Sequence, residues 1–283
     1  MANVELCVLG SGSSGNSTFL ACGDYQILID AGLSARAITR RLAEIGKSPE
    51  DLSAILITHE HSDHCQGVKI LAKKHNITLM ANRFTQEAIA RSHGQELNWQ
   101  LFQTGQAFDL GPLQVFPFSI PHDAFDPVGF RIEVGPDLAI AFVTDLGHAT
   151  NLVRQRIAGC RLLVLESNHD VNLLHDSPRP WSLKQRILGR QGHLSNHDAA
   201  ALACEIAHPG LQHLILAHLS QDCNDANLAL DTVGATLEAA GHTPKLIVAR
   251  RREPIPLIQL QLDEVGCGLR PEAIREAIRE ASR

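Results

Sequence analysis

Four apolar runs in this chain end in residues suited to chemistry, and that pattern limits the fold more than any other feature of the sequence. The runs are AILIT ahead of HEHSDH, AIAFVT ahead of Asp145, LLVL ahead of Glu166 and SNHD, and HLILA ahead of His218. Short continuous apolar runs of this kind read as strands buried on both faces, which is the condition of parallel strands in α/β proteins. In such sheets, sites form beyond the carboxyl ends of the strands, where loops from different strands converge. A buried strand also ends in polar residues simply because the chain must surface there. Four loaded tips together, one of them HxHxDH, instead point to a single shared pocket.

The rest of the chain agrees with an α/β architecture. Strands are expected at Val4 to Leu9, Thr18 to Ala21 and Tyr25 to Asp30, around the loop GSGSSGNS and the turn Gly23-Asp24. A helix capped by Ser34 follows, then a strand at Ala54 to Thr58, one helix from about Asp63 to His75, a strand at Ile77 to Met80 and a helix from Thr85 to Arg91. Further strands are expected at Gln114 to Ile120, Val128 to Val134 and Leu138 to Thr144. In the final third, helices at Ala149 to Ile157, Trp181 to Leu188, Asn196 to Ala207 and Asn227 to Ala240 alternate with strands at Leu162 to Leu165, Leu214 to Ala217 and Lys245 to Val248. No low-complexity segment, long linker or solenoid period divides the 283 residues, so a single domain over 1–283 is expected. Glu-Arg pairs at i,i+3 in RPEAIREAIREASR make residues 268–283 a docking or exposed helix.

Apolar residues at 44% are enough for a sizeable core. No run approaches the roughly 18 apolar residues of a membrane helix, and MANVELCVLG lacks the basic start and apolar stretch of a secretion signal, so a cytoplasmic location is expected. Seven cysteines, odd in number and without a CxxC pair, read as buried thiols in a reducing compartment. The net charge of -6 argues against a generally basic nucleic-acid binder and leaves room for a local basic groove.

The segment His59-Glu-His-Ser-Asp-His64 would be costly to bury unless something satisfied it, and the obvious candidate is metal. In an extended segment His59 and His61 point to the same side, so both imidazoles reach one ion. If the chain then turns into a helix near Asp63, that carboxylate and His64 are aimed at a neighbouring point. One motif thus serves two ions. Imidazole suits zinc, iron or manganese, and a carboxylate shifts the balance toward the harder ions. A pair about 3.5 to 4 Å apart is the arrangement that cuts esters, amides and phosphodiesters.

THEHSDH, with IDAG upstream and Asp145 and His218 downstream, resembles the metallo-β-lactamase fold family. Its members are α/β proteins, four-layer αβ/βα sandwiches with a binuclear metal site at one edge. SGSSGNS, PHDAFDPVGF, TDLGH, ESNHD, GHLSN and LSQD are similar, more narrowly, to the YycJ/WalJ subfamily, described as 5′-to-3′ exonucleases on double-stranded DNA. The resemblance implies two divalent ions, zinc or manganese with iron as an alternative. It implies His59, His61 and His122 on the first ion, Asp63, His64 and His218 on the second, and Asp145 bridging them. Asp30 would orient ligands from behind, or else cap a turn. On this reading Asp63 orients a hydroxide held between the ions, and His193, in an H-x-[ST] string shared with related phosphodiesterases, supplies the leaving-group proton.

Other residues keep two readings. His148 and His169 lie just beyond strand tips and could touch substrate. Ser195 and Asn196 either face substrate or cap the helix after them. From Ser177 to His197 the chain carries Arg179, Lys184, Arg186 and Arg190 with no acidic residue. That segment reads as a phosphate-backbone track or as a solvated helix face. Trp181 reads as a packing anchor at a helix start or as a base-stacking residue. Gly10 to Ser17 reads as an anion nest or a set of tight turns. DNA is the expected substrate, with a small cyclic phosphodiester or RNA as alternatives, and a homo-oligomer is compatible with the sequence.

Overall fold

The computed structural model describes residues 3–93 and 97–261. Cys267 and the helix expected over 268–283 lie outside the described residues. The first half of the chain runs β1 (Asn3–Gly10), β2 (Ser17–Cys22), β3 (Tyr25–Ile29), α1 (Ala35–Glu44), β4 (Leu52–Leu56), α2 (Ser62–Cys65), α3 (Val68–His75), β5 (Thr78–Ala81), α4 (Arg83–His93) and β6 (Trp99–Leu101). The second half runs β7 (Phe108–Leu110), β8 (Leu113–Ser119), β9 (Val128–Val134), β10 (Leu138–Val143), α5 (Asn151–Ile157), β11 (Leu162–Glu166), α6 (Val171–Asp176), α7 (Trp181–Leu188), α8 (Asn196–Ile206), β12 (His213–Ala217), α9 (Ala226–Ala239), β13 (Lys245–Val248) and β14 (Ile258–Gln261).

The strands form two seven-stranded sheets, ordered β14-β1-β2-β3-β4-β5-β6 and β13-β12-β11-β10-β9-β8-β7. Antiparallel hairpins open each half, and parallel strands joined by helices follow: β3 to β6 in one sheet, β10 to β13 in the other. Side-chain alternation assigns the layers. Ile140 and Phe142 of β10, Leu162 and Val164 of β11, and Ile215 of β12 pack with the first sheet, in one buried cluster. Their neighbours Ala141, Val143, Leu163, Leu165, Leu214 and Leu216 face the other way, onto Val153, Ala199, Ala203 and Val233 of α5, α8 and α9. Each strand is apolar on both faces because one face meets the opposite sheet and the other meets helices. The result is the four-layer α/β sandwich that the family resemblance implied.

The helix expected from Asp63 to His75 is broken into α2 and α3 at Gly67. Gly67 N donates to Ala31 O at 2.7 Å, and a Cβ there would lie 2.4 Å from Leu33 O, so the chain is pinned against the segment after β3 and the helix restarts. Strands β6, β7 and β14 were not expected. They are three or four residues long, and β6, β7 and β14 lie at sheet edges, where a period of two is barely expressed. Among the described residues no helix is long and apolar enough to cross a membrane. Six cysteines in the described residues are free thiols, all buried except the half-buried Cys204.

Candidate metal centre

Every loaded tip opens on the same edge of the sandwich. Asp30 follows β3, His59 to His64 follow β4, His122 follows β8, Asp145 follows β10, Glu166 ends β11 and His218 follows β12. The tips are brought within reach of one another. Donor atoms of His59, His61 and His122 lie within 4.8 Å of each other, as do those of His59, His64 and Asp145, of Asp63, His64 and His218, and of Asp145, Glu166, His193 and His218. His64 Nε2 is 3.1 Å from Asp145 Oδ2 and 3.6 Å from Asp63 Oδ2, and His218 Nε2 is 3.5 Å from Asp63 Oδ2.

The outward nitrogens of the rings are tied down. Thr58 donates to both Asp30 oxygens, through N at 2.8 Å and Oγ1 at 2.9 Å, and His64 Nδ1 donates to Asp30 Oδ2 at 2.7 Å. His59 Nδ1 donates to Thr58 Oγ1 at 3.0 Å, so Asp30 orients two imidazoles, one directly and one through a hydroxyl. His122 Nδ1 donates to Gly192 O at 3.3 Å. His218 Nδ1 and His193 Nδ1 both donate to Glu166 Oε1, at 2.7 and 2.8 Å. Partners of this kind fix the tautomer and aim of a metal-binding ring.

Three of the inward atoms are not satisfied. His59 Nε2, His218 Nε2 and Asp145 Oδ2 are buried without a hydrogen-bond partner. His122 Nε2 and His61 Nδ1 meet at 3.4 Å. Buried polar atoms are ordinarily paired, so a convergent set of orphaned nitrogens and carboxylate oxygens is the donor set that a divalent cation satisfies. Electrostatics show the same demand. Burial opposes charge on His218 but is outweighed by Asp145, Asp63 and Glu166, which push it up to about 10. His64 is raised well above its ordinary value for the same reason, by Asp145 and Asp30 against burial. Asp145, buried yet facing His218 and His64, is held well below the usual carboxylate range. The carboxylates favour positive charge beside them.

Two residues outside the expected set complete the frame. Glu166 is fully buried and accepts five hydrogen bonds: His193, His218 and Asp145 N on Oε1, Leu146 N and Leu194 N on Oε2. Burial would raise its pKa, but His193 and His218 bring it down to about 2. Its signal in sequence was its place at a strand tip. Asn16 staples the Gly-Ser loop to the centre. Its Oδ1 accepts from Ser11 Oγ and Gly12 N, while Nδ2 reaches Asp63 O at 3.3 Å and Asp63 Oδ2 at 3.4 Å. Ser11 Oγ in turn accepts from His218 N at 2.7 Å, so the loop is a bracket for ligands.

The remaining candidates are placed differently. His193 sits at the rim with its side chain about one-fifth exposed, and Glu166 raises its pKa against burial. Ser195 is buried and its Oγ accepts from Asp198 N, capping α8, while Asn196 is fully buried between Ser167 and Asn224. Neither side chain is open to the surface. His169 is 1% exposed, with both ring nitrogens unpartnered and its pKa lowered to about 4 by burial, so its ring is closed off from the surface as well. His148 pairs with Arg190 through Nδ1 to its carbonyl and Nε2 to its guanidinium. Arg186 and Arg190 are exposed, but Lys184 is buried and donates to His175 O, which removes it from any basic track. Trp181 is 58% exposed, its ring tilted against His175 at 6.0 Å, and is no packing anchor.

The sandwich and its donor set define a metal-dependent hydrolase. Residues 25–219 match the family described as the Beta-lactamase superfamily domain. The chain is 36% identical over 240 residues to exodeoxyribonuclease YycJ of Bacillus anthracis, covering 84% of this chain and 90% of that protein. It is 39% identical over 226 residues to exodeoxyribonuclease WalJ of Streptococcus pneumoniae serotype 2, covering 78% and 84%. Among solved structures, the metallo-β-lactamase fold protein YhfI of Bacillus subtilis superposes with a TM-score of 0.69 at 16% identity, over 92% of this chain and all of that one. The chain belongs to the metallo-β-lactamase fold superfamily and, within it, to the YycJ/WalJ subfamily.

Proposed function

We propose that this chain is a phosphodiesterase that uses two divalent ions, zinc or manganese with iron as an alternative, to digest double-stranded DNA from 5′ to 3′. The observation that carries the reading is the convergence of seven side chains, three of which present an inward atom, His59 Nε2, His218 Nε2 or Asp145 Oδ2, that is buried without a hydrogen-bond partner. His59, His61 and His122 would hold one ion, Asp63, His64 and His218 the other, with Asp145 between. When bound, such a pair supplies an activated water and neutralises charge on the phosphate's non-bridging oxygens. The chain's own residues do the rest. Asp63, only partly buried and facing His64 and His218, orients that water. His193, tethered through Nδ1 to Glu166, keeps Nε2 free to hand a proton to the leaving oxygen. Arg186 and Arg190 are exposed and offer guanidinium contacts to backbone phosphates. The names of the two relatives support DNA as the substrate.

Purified protein with manganese should release 5′ mononucleotides from an end-labelled duplex. An inert duplex beside a rapidly cleaved small ester would sink the DNA reading. Asp63→Ala should abolish hydrolysis with the fold preserved, whereas full activity in that variant would remove the metal-activated water from the scheme.

A further inference from the structure

Beside the metal centre, and sharing His193 with it, lies a cleft of about 170 Å³ to which the scheme above assigns no ligand of its own, although it draws on His193 and Arg186 from the lining. Arg179 and Arg186 enter its lining with Ser13, Asn168 and Ser220. In a chain whose 31 acidic residues outnumber its 25 basic ones, the lining carries two guanidiniums against one carboxylate, Asp123. Each is anchored by a single carboxylate. Arg179 Nη2 contacts Asp222 Oδ2 at 3.2 Å and Ser220 Oγ at 3.5 Å, and Arg186 Nε donates to Asp123 Oδ2 at 2.5 Å. Among the described residues no hydrogen bond or ion pair engages Arg186 Nη1 or Nη2, so that fork keeps its paired donors for a ligand.

Size and closure narrow the ligand. Pockets for drug-sized molecules run to roughly 300–1,000 Å³, so this one suits a small anionic group better than a base with its sugar. Its wall is tight where Gly192 lies against α7: a Cβ at Gly192 would meet Ile187 O at 2.1 Å. A planar guanidinium fork matches phosphate oxygens in pairs, and a terminal monoester carries more charge than an internal diester. Resting on the phosphodiesterase reading, we infer that this cleft binds a terminal phosphate monoester of the substrate strand through Arg179 and Arg186, stopping the strand end beside His193. A strand whose end is seated there is cut from that end.

The test uses the full-length, metal-loaded chain with duplexes ending in 5′-phosphate, 5′-hydroxyl or 3′-phosphate, and calorimetry with deoxynucleoside 5′- and 3′-monophosphates and the free nucleoside. One phosphorylated end is expected to be preferred over the hydroxyl end by about tenfold or more, and the matching monophosphate to bind that much more tightly than the nucleoside. Arg179→Ala should bring both ratios close to one, and Arg179→Lys should restore part of each. Equal treatment of all ends and ligands by the unmodified protein, or ratios unchanged in both Arg179→Ala and Arg186→Ala, would overturn the assignment. If no duplex is cut while the monophosphate still binds in an Arg179-dependent way, the cleft assignment stands and the nuclease reading falls.

Discussion

Replacing Glu166 by Gln changes one atom in a fully buried position, and the structure says what that atom costs. Oε1 accepts from two imidazoles at 2.7 and 2.8 Å and from Asp145 N at 3.3 Å, and Oε2 accepts from two backbone N–H groups at 2.8 and 3.0 Å. An amide has only one oxygen. If its NH2 takes the Oε2 position, Leu146 N and Leu194 N face a donor. If it takes the Oε1 position, His193 and His218 lose their acceptor. Each orphaned buried donor costs about 1–3 kcal/mol, and breaking a buried charge pair costs about 3–5 kcal/mol, so a loss of roughly 3–5 kcal/mol is expected. At roughly 2 °C per kcal/mol for a chain of this length, thermal denaturation at matched metal occupancy should fall by about 6–10 °C. Because His218 also loses its aim, metal affinity measured by chelator competition should drop about 10- to 100-fold. The pH dependence in chelator-treated protein follows from the two shifts. Glu166 is depressed from 4.5 to about 2, so its contribution is complete above pH 4.5 and fades as pH falls toward 2. His218 is raised from 6.5 to about 10, so its contribution is complete below pH 6.5 and fades as pH rises toward 10. The variant's deficit should therefore be largest between pH 4.5 and 6.5. A variant within about 0.5 kcal/mol of wild type, binding metal equally well, would refute the account.

Three further outcomes can be measured directly. Gly32→Ala would place a Cβ 1.6 Å from Asp63 O and 2.2 Å from Asp63 C, so the metal motif must move; thermal denaturation should show a loss of about 3 kcal/mol or an unfolded product, and a normal melt would contradict the packing. Removing metal with a chelator should abolish hydrolysis and lower the melting temperature, since ligand at 1,000 times its Kd stabilises by about 4 kcal/mol; a melt indifferent to added manganese or zinc would count against the site. Ser195→Ala should cost about 0.5–2 kcal/mol as a lost helix cap while leaving the KM for duplex unchanged, and a raised KM would return Ser195 to substrate contact.

What could be read from the sequence was what is close together in it. His59, His61, Asp63 and His64 fall within one strand exit and one helical turn, so their common target follows from side-chain periods alone. The four strand tips were visible because buried strands leave uninterrupted apolar runs. His122 was legible only through resemblance, because its partners are distant: His61 lies 61 positions away and Gly192, whose carbonyl sets its ring, lies 70 away. Glu166 was seen as a tip but not as the acceptor of five donors, since all five of those donors come from other loops. Ser195 and Asn196 kept two readings because a cap and a substrate contact use the same residue types.

Backbone conformation was the least legible layer, and it explains how the tips are aimed. Asp30, Asp145 and His218 have φ of 60°, 60° and 57°, a left-handed conformation that costs an L residue about 1–2 kcal/mol. Glycine is the residue that ordinarily marks such a conformation, so nothing in the string LAHLS announces it. In each case the strained residue's own N–H is anchored: Asp30 N donates to Leu56 O, Asp145 N to Glu166 Oε1, and His218 N to Ser11 Oγ. The anchors come from a neighbouring strand, a buried carboxylate and the Gly-Ser loop, so three parts of the fold hold the three turns. Strain at a site persists only where the surroundings over-determine it. The bracket formed by Ser11 and Asn16 is thus part of the metal centre's geometry although neither residue is placed as a ligand, and the SGSSGNS string is explained by the backbone it holds.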